Sequence, residues 1–388
     1  PELRFPGFEG EWEEMPLEKL CTFSNGINAK KEQYGHGRKF INVLDILNKN
    51  YITYDEIIGA VSVSEETEQR NKVEYGDLLF LRSSETREEV GTSNVYLDDR
   101  FALYGGFVIR GKKIAEYDPM FIKNLLNTGK IRSVISAASG GSTRYNVNQE
   151  ILKKLKLKLT KIKEQQKIGN FFSKLDRQIE LEEQKLALLE EQKKGYMQKI
   201  FSQELRFKDD DDNDYPAWEE RLIKEIVQFE NSRRKPITSS IRESGVFPYY
   251  GASGIIDYVK EYIFDGEIRL LVGEDGAKWG AFENSSFIAM GKYWVNNHVH
   301  VIKSESANLK FLNYLLNYKE LRTFVTGNAP PKLTYNNLCQ INLLLPTYEE
   351  QEKIGDFFSK LDQQIELQEQ KIENLKQRKK GLLQKMFV

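Results

Sequence analysis

The side chains best suited to bond-making chemistry are few here and badly spaced for it. Three histidines, His36, His298 and His300, accompany two distant cysteines, Cys21 and Cys339. That set cannot build a zinc site at a recognised spacing. His298 and His300 fit one face of a strand, where a structural role is the commoner one. Gly35-His36-Gly37-Arg38-Lys39-Phe40 lacks the third glycine of a dinucleotide loop, no Walker A motif exists, and the stretch reads as a turn. Asn328-Ala329-Pro330-Pro331 departs from the Asn-Pro-Pro-aromatic motif of adenine methyltransferases, because an alanine interrupts it and no aromatic follows. Glu183-Gln184-Lys185 has the form of a nuclease Glu-x-Lys fragment but falls inside a helical pattern, where it is surface charge. No catalytic residue and no metal ligand is expected.

What the chain offers instead is recognition chemistry. Its first half carries Lys30, Arg38, Arg82, Ser83 and Arg87, then Ser142, Arg144 and Tyr145 in a glycine-rich stretch. Its second half carries Arg233, Arg234 and Lys235, then Lys278 and Trp279, Asn296 and Asn297, and Lys332. Arginine and lysine hold phosphates or guanine, and asparagine holds adenine in bidentate fashion. Any one of these is most simply a solvated charge or a turn residue. Their clustering in loops of both halves makes double-stranded DNA the expected partner.

The elements that position these loops occur twice. Glu204-Leu205-Arg206-Phe207 repeats Glu2-Leu3-Arg4-Phe5, and residues 165–200 align without gaps on 351–386, sharing 23 of 36 positions. A period of about 190 residues is too long for a solenoid unit and marks a duplicated two-part module. Each half opens on a lead-in, Trp12-Glu13-Glu14 or Trp218-Glu219-Glu220. A mixed region follows, with strand-like runs at Tyr75–Leu81, Phe107–Ile109, Ile268–Val272 and His298–Ile302, and helical stretches near Met120–Leu126 and Leu309–Leu316. The expected domains are 1–160, a helix over 161–203, an acidic linker over 204–218 (Asp209–Asp212 and Asp214), a second mixed domain over 219–346, and a helix over 347–388.

Both helices keep an unbroken four-three spacing. The first places Phe172, Leu175, Ile179, Glu182, Leu186, Leu189 and Lys193 on one seam; the second places Phe358, Leu361, Ile365, Gln368, Ile372, Leu375 and Lys379 there. That spacing is a coiled-coil signature, and 33 residues of helix reach about 50 Å. Pseudo-two-fold symmetry makes the pair antiparallel. Setting polar against polar then faces Glu182 with Lys379 and Lys193 with Gln368. Leu181, Leu188, Leu367 and Leu383 flank the seam and are expected to be exposed until a partner covers them.

A net charge of −1 and a pI near 6.5 count against a generally basic DNA binder, leaving local patches to do the steering. No apolar run reaches the length of about 18 residues that a membrane span needs, and the start Pro-Glu-Leu-Arg-Phe is not a signal peptide. Two cysteines argue against a disulfide scaffold and for a reducing cytoplasm.

On these features the chain resembles the specificity subunit of type I restriction-modification enzymes, over essentially its full length. The resemblance rests on two variable domains, two repeated helices, and the transitions Ser139–Thr143 to Glu164–Ile168 and Thr326–Pro330 to Pro346–Ile354. The second has the family's proline, acidic stretch and Glu-Gln-x-x-Ile; the first has Thr160-Lys161-Ile162-Lys163 where the proline belongs. The stretch from Gly254-Ile255-Ile256-Asp257 to Trp294–His298 also resembles one subgroup of the family's target-recognition domains. The resemblance implies an α+β fold, with two target-recognition domains in a pseudo-two-fold arrangement separated by two long helices forming an antiparallel coiled coil. It implies a non-catalytic, cytoplasmic subunit of a bacterial defence complex that reads a bipartite asymmetric DNA site. Two modification subunits, which are adenine-N6 methyltransferases carrying S-adenosylmethionine, would dock on the helices. Restriction subunits would add ATP-dependent cleavage with magnesium. The alternative is a non-enzymatic coiled-coil scaffold or protein-interaction module, which salt dependence of binding separates from a DNA reader.

Overall fold

A computed structural model describes residues 1–47, 50–141, 143–327 and 329–387. The chain forms two compact units, Pro1–Glu183 with Lys371–Val388, and Gln184–Gln370. Each unit therefore holds a mixed domain together with part of both long helices.

In the first unit, strands Cys21–Asn25, Val108–Lys113, Leu78–Leu81 and Ser93–Val95 make an antiparallel sheet in that order. Its central run Leu78-Leu79-Phe80-Leu81 is apolar at every position because both faces are covered. Leu78 and Phe80 join Ile109 against the helix Pro119–Leu126, while Leu79 and Leu81 pack with Val108 and Tyr104 on the other side. A second sheet orders Ala60–Val61, Tyr34–Ile41 and Leu103–Tyr104, the last pair parallel. The expected turn at Gly35–Phe40 is thus a strand. Its first residues bulge between Tyr34 and Arg38, with Gly35 and Gly37 at positive φ.

The second unit repeats this frame. Gln228–Phe229, Val299–Lys303, Arg269–Gly273 and Ser286–Ala289 form the antiparallel sheet, with Leu270 and Val272 on one buried face and Leu271 on the other. Asp118 and Asn308 cap the equivalent helices Pro119–Leu126 and Leu309–Tyr318 by accepting from the Phe121 and Phe311 N–H groups. The lead-in strands Glu13–Pro16 and Glu219–Leu222 pair antiparallel with Lys156–Leu159 and Asn342–Leu345.

The long helices run Ile162–Phe201 and Tyr348–Phe387. The Glu-Gln pair at each start is buried and has a defined task. Glu164 takes the Arg4 guanidinium and Glu350 takes Arg206. Gln165 donates to Thr160 O and accepts from Asp118 N, while Gln351 donates to Pro346 O and accepts from Asn308 N. Proline is therefore dispensable at position 160, since the carbonyl before the helix is held the same way in both units.

Within each unit the helices pack antiparallel, but not in the register that seam polarity suggested. Glu182 pairs with Lys371 at 2.6 Å, Lys379 with Asp176, and Lys193 with Asp362 at 2.5 Å. These contacts set Glu182 beside Lys371–Ile372, a heptad away from Lys379. Long Lys and Glu side chains leave the seam and find opposite charges on its flanks, so their polarity does not fix the alignment. Aromatic rings do: Phe172 stacks on Phe387 and Phe358 on Phe201, at 6.0 and 5.9 Å. Leu181, Leu188 and Leu367 are exposed, whereas Leu383 packs on the first unit's core. The acidic linker folds on itself, Asp209 accepting from the N–H groups of Asp211 and Asn213.

Candidate nucleic-acid interface

In both units a short antiparallel pairing just past the central strand ties a glycine-bearing loop to the sheet, a two-residue ladder in the first unit and single bridges in the second. In the first unit Ser83–Ser84 pairs with Tyr145–Asn146, and Gly140 bridges Asn146. In the second, Asp275 and Thr326 both bridge Lys332. Gly141 and Gly327 take positive φ in these loops. A turn from the neighbouring strand completes each frame. Arg82 N–H donates to Phe107 O and Glu274 N–H to His298 O, both at 2.8 Å.

Basic side chains serve this frame in two ways. Arg82 donates through Nη1 to Gly106 O, and Arg234 donates to Asn297 O and Val299 O while pairing with Glu274 at 2.6 Å. Arg233 is held by Glu267 and lies 3.9 Å over Phe264; Arg38 is held by Glu68 and lies 4.0 Å over Phe101. Arg132 donates to Glu88 O and Val90 O, bracing the 84–91 loop, and burial lowers its pKa. Arg82, Arg132, Arg233 and Arg234 thus donate to backbone carbonyls and Arg38 to the Glu68 carboxylate, so the expected contacts Arg38, Arg82, Arg233 and Arg234 are all engaged within the protein. Trp279 is 5 % exposed, donating to Gly273 O, and Asn296 is buried, accepting from His298 N–H. Neither reaches the surface, because the core and the turn consume them.

Of the remaining expected residues, Arg87 and Arg144 are exposed, whereas Ser83 and Tyr145 are half-buried. Arg87 lies 4.8 Å over the Tyr145 ring, Arg144 is 3.6 Å from Glu85, and Ser83 bonds Asn146. Lys30, Lys235, Lys278 and Asn297 are exposed, and Lys332 pairs with Asp275 at 3.0 Å. Ser142 lies outside the described residues. Ser83, Arg87, Arg144 and Tyr145 come together in the first unit; Lys30 stands apart, before the short turn that leads into the strand Tyr34–Ile41. In the second unit Lys332 pairs with Asp275, and Lys278 follows in the exposed stretch after Asp275.

The histidines separate. His300 is buried, accepting at Nδ1 from Asn231 and donating at Nε2 to Leu333 O, and burial lowers its pKa. His298 sits in the exposed turn, its Nδ1 bonded to Asp275. Burial raises the Asp275 pKa, but Lys332 and His298 outweigh that and leave it lowered. The strand expected from Phe107 begins instead at Val108, and the Phe107 side chain is exposed in the turn before Val108–Lys113. Gly105-Gly106 before it and Asn296-Asn297 before His298 are the turn signals that mark both places. Among the described residues no group of three His, Cys, Asp or Glu side chains could hold a metal ion, and no helix is long and apolar enough to cross a membrane.

Comparison with known proteins gives this arrangement a class. The family model for the type I restriction modification DNA specificity domain matches residues 9–191 and again 216–377, and the chain belongs to that family. A type I restriction enzyme specificity subunit of Haemophilus influenzae is 41% identical over 134 residues, 34% of either chain, so the match spans about a third of that relative's length. The MjaX specificity subunit of Methanocaldococcus jannaschii is 24% identical over 96% of this chain and 92% of its own. The solved S subunit from M. genitalium superposes with a TM-score of 0.64 at 17% identity, covering 100% of this chain and 99% of the other. A chain from a study of type I R-M complex assembly and conformational transition reaches 0.57 at 16% identity, covering 98% of each. At those identities the structures speak for the fold.

Proposed function

We propose that each unit reads one half of a bipartite, asymmetric DNA site and that the long helices set the gap between the halves. The observation that carries this is the duplicated frame: ladder, loop and braced turn recur, while the side chains they display differ. A shared frame with different surface chemistry is what two unlike half-sites require. The chain would supply sequence choice and no bond-making. Two modification subunits with S-adenosylmethionine would dock on the helices, where Leu188 and Leu367 are about two-thirds exposed at 64% and 65%. Restriction subunits would contribute ATP and magnesium chemistry, within the cytoplasm.

Mapping methylated adenines in a host that expresses this chain with its modification subunits tests the reading. The expected result is one bipartite motif. Exchanging residues 227–346 for the matching domain of a relative should change one half-site and keep the other. Methylation with no bipartite motif, or a change in both halves, would refute it.

A further inference from the structure

The frame that both units share cannot distinguish two different half-sites, so discrimination must lie where equivalent positions carry unlike chemistry. The turns at Gly105–Phe107 and Asn296–His298 are such positions. They occupy the same place, between strands Leu103–Tyr104 and Val108–Lys113 in one unit, and Lys292–Val295 and Val299–Lys303 in the other. Each is held by an arginine on the carbonyl of its middle residue and by an N–H on the carbonyl of its last. The turns are thus rigid, and the side chain at the last position points out from a fixed backbone.

Those side chains are Phe107, 57 % exposed, and His298, whose side chain is 48% exposed. Phe107 belongs to none of the hydrophobic clusters of its unit, so its exposed ring contributes little to packing. Arg82, whose N–H holds the Phe107 carbonyl, leads directly into Ser83, which pairs with Asn146, and Asp275 bonds both His298 and Lys332. Asp275 accepts from His298 Nδ1–H, which turns the ring and leaves Nε2 as its free edge atom.

Resting on the half-site reading above, we infer that Phe107 and His298 are specificity-determining residues that meet base edges, one in each half-site. Phe107 makes an apolar contact suited to a thymine methyl or a base step, whereas His298 hydrogen-bonds a base edge through Nε2. One position read by methyl contact and the other by hydrogen bonding is how the same scaffold yields an asymmetric site.

The experiment uses the full complex with modification subunits and a DNA library randomised across the motif. Phe107→Ala should relax one base position in one half-site, cutting discrimination there about tenfold, a typical cost for one mismatched pair. Phe107→Leu should retain most of it. His298→Ala should relax one position in the other half-site, and His298→Gln should alter the base preferred there. Thermal unfolding and assembly with the modification subunits report folding of every variant. An unchanged motif, or a uniform loss at all positions, overturns the inference while the half-site reading stands. A wild-type complex with no bipartite motif overturns both.

Discussion

At the scale of the residue, the surroundings of the matching aspartates Asp176 and Asp362 differ between the units, and those of Asp176 predict a pH dependence. Tyr314 donates its hydroxyl to Asp362 in the second unit. In the first unit Asn124 stands at the matching helix position, and its Nδ2 and Asp176 Oδ2 are buried without partners. Lys123 is buried near Asp176, and burial, aided by Lys379 and opposed by Asp176, lowers its pKa to about 8. A lysine whose folded pKa lies below its unfolded value costs stability while charged, and that cost disappears as pH rises. The wild-type protein should therefore gain stability between about pH 8 and pH 10, by roughly 3 kcal/mol at most. Lys123→Met should flatten that rise in chemical denaturation, and a parallel pH profile in the variant would refute the assignment.

At the scale of the element, the long helices owe their alignment to contacts that repeat with roles exchanged. The aspartate closing each Ile-Gly-x-Phe-Phe-Ser-Lys-Leu-Asp segment takes a lysine from the other helix, Asp176 from Lys379 and Asp362 from Lys193. Because both segments carry the same partners, removing one heptad from the middle of each helix keeps the end contacts intact. Such a loss shortens the helices by about 10 Å, or roughly three base pairs of DNA. Methylation mapping should then show the same half-sites with a narrower gap. New half-site bases at the old gap would refute a spacing role for the helices.

For the whole molecule, a charge of −1 makes affinity depend on where cations sit rather than on their total. Arg38, Arg233 and Arg234 are paired with carboxylates, whereas Lys30, Arg87, Lys235 and Lys278 are exposed and, on the proposed function, would meet phosphates. Binding of the assembled complex to a cognate duplex should weaken steeply with salt, with a slope of log affinity on log salt of about −4 or steeper. A slope near zero would favour the scaffold reading.

The sequence by itself determined the duplication, the two long helices and the absence of recognised catalytic motifs, because each is written in local pattern. The apolar run at Leu78–Leu81 and the four-three seam spacing are properties of neighbouring residues, and the structure has the strand and the helices there. Only the tertiary structure decided which cations are free, because their partners lie far along the chain. Arg233 and Arg234 look unpaired in the sequence, and the fold brings Glu267 and Glu274 against them. The helix register was likewise hidden: polar seam residues can bend out to flanking charges, whereas Phe387 and Phe201 insert at depths that only the folded units set. Phe107 and His298 acquire their equivalence in the same way, through carbonyls held by Arg82 and Arg234 from other strands and loops.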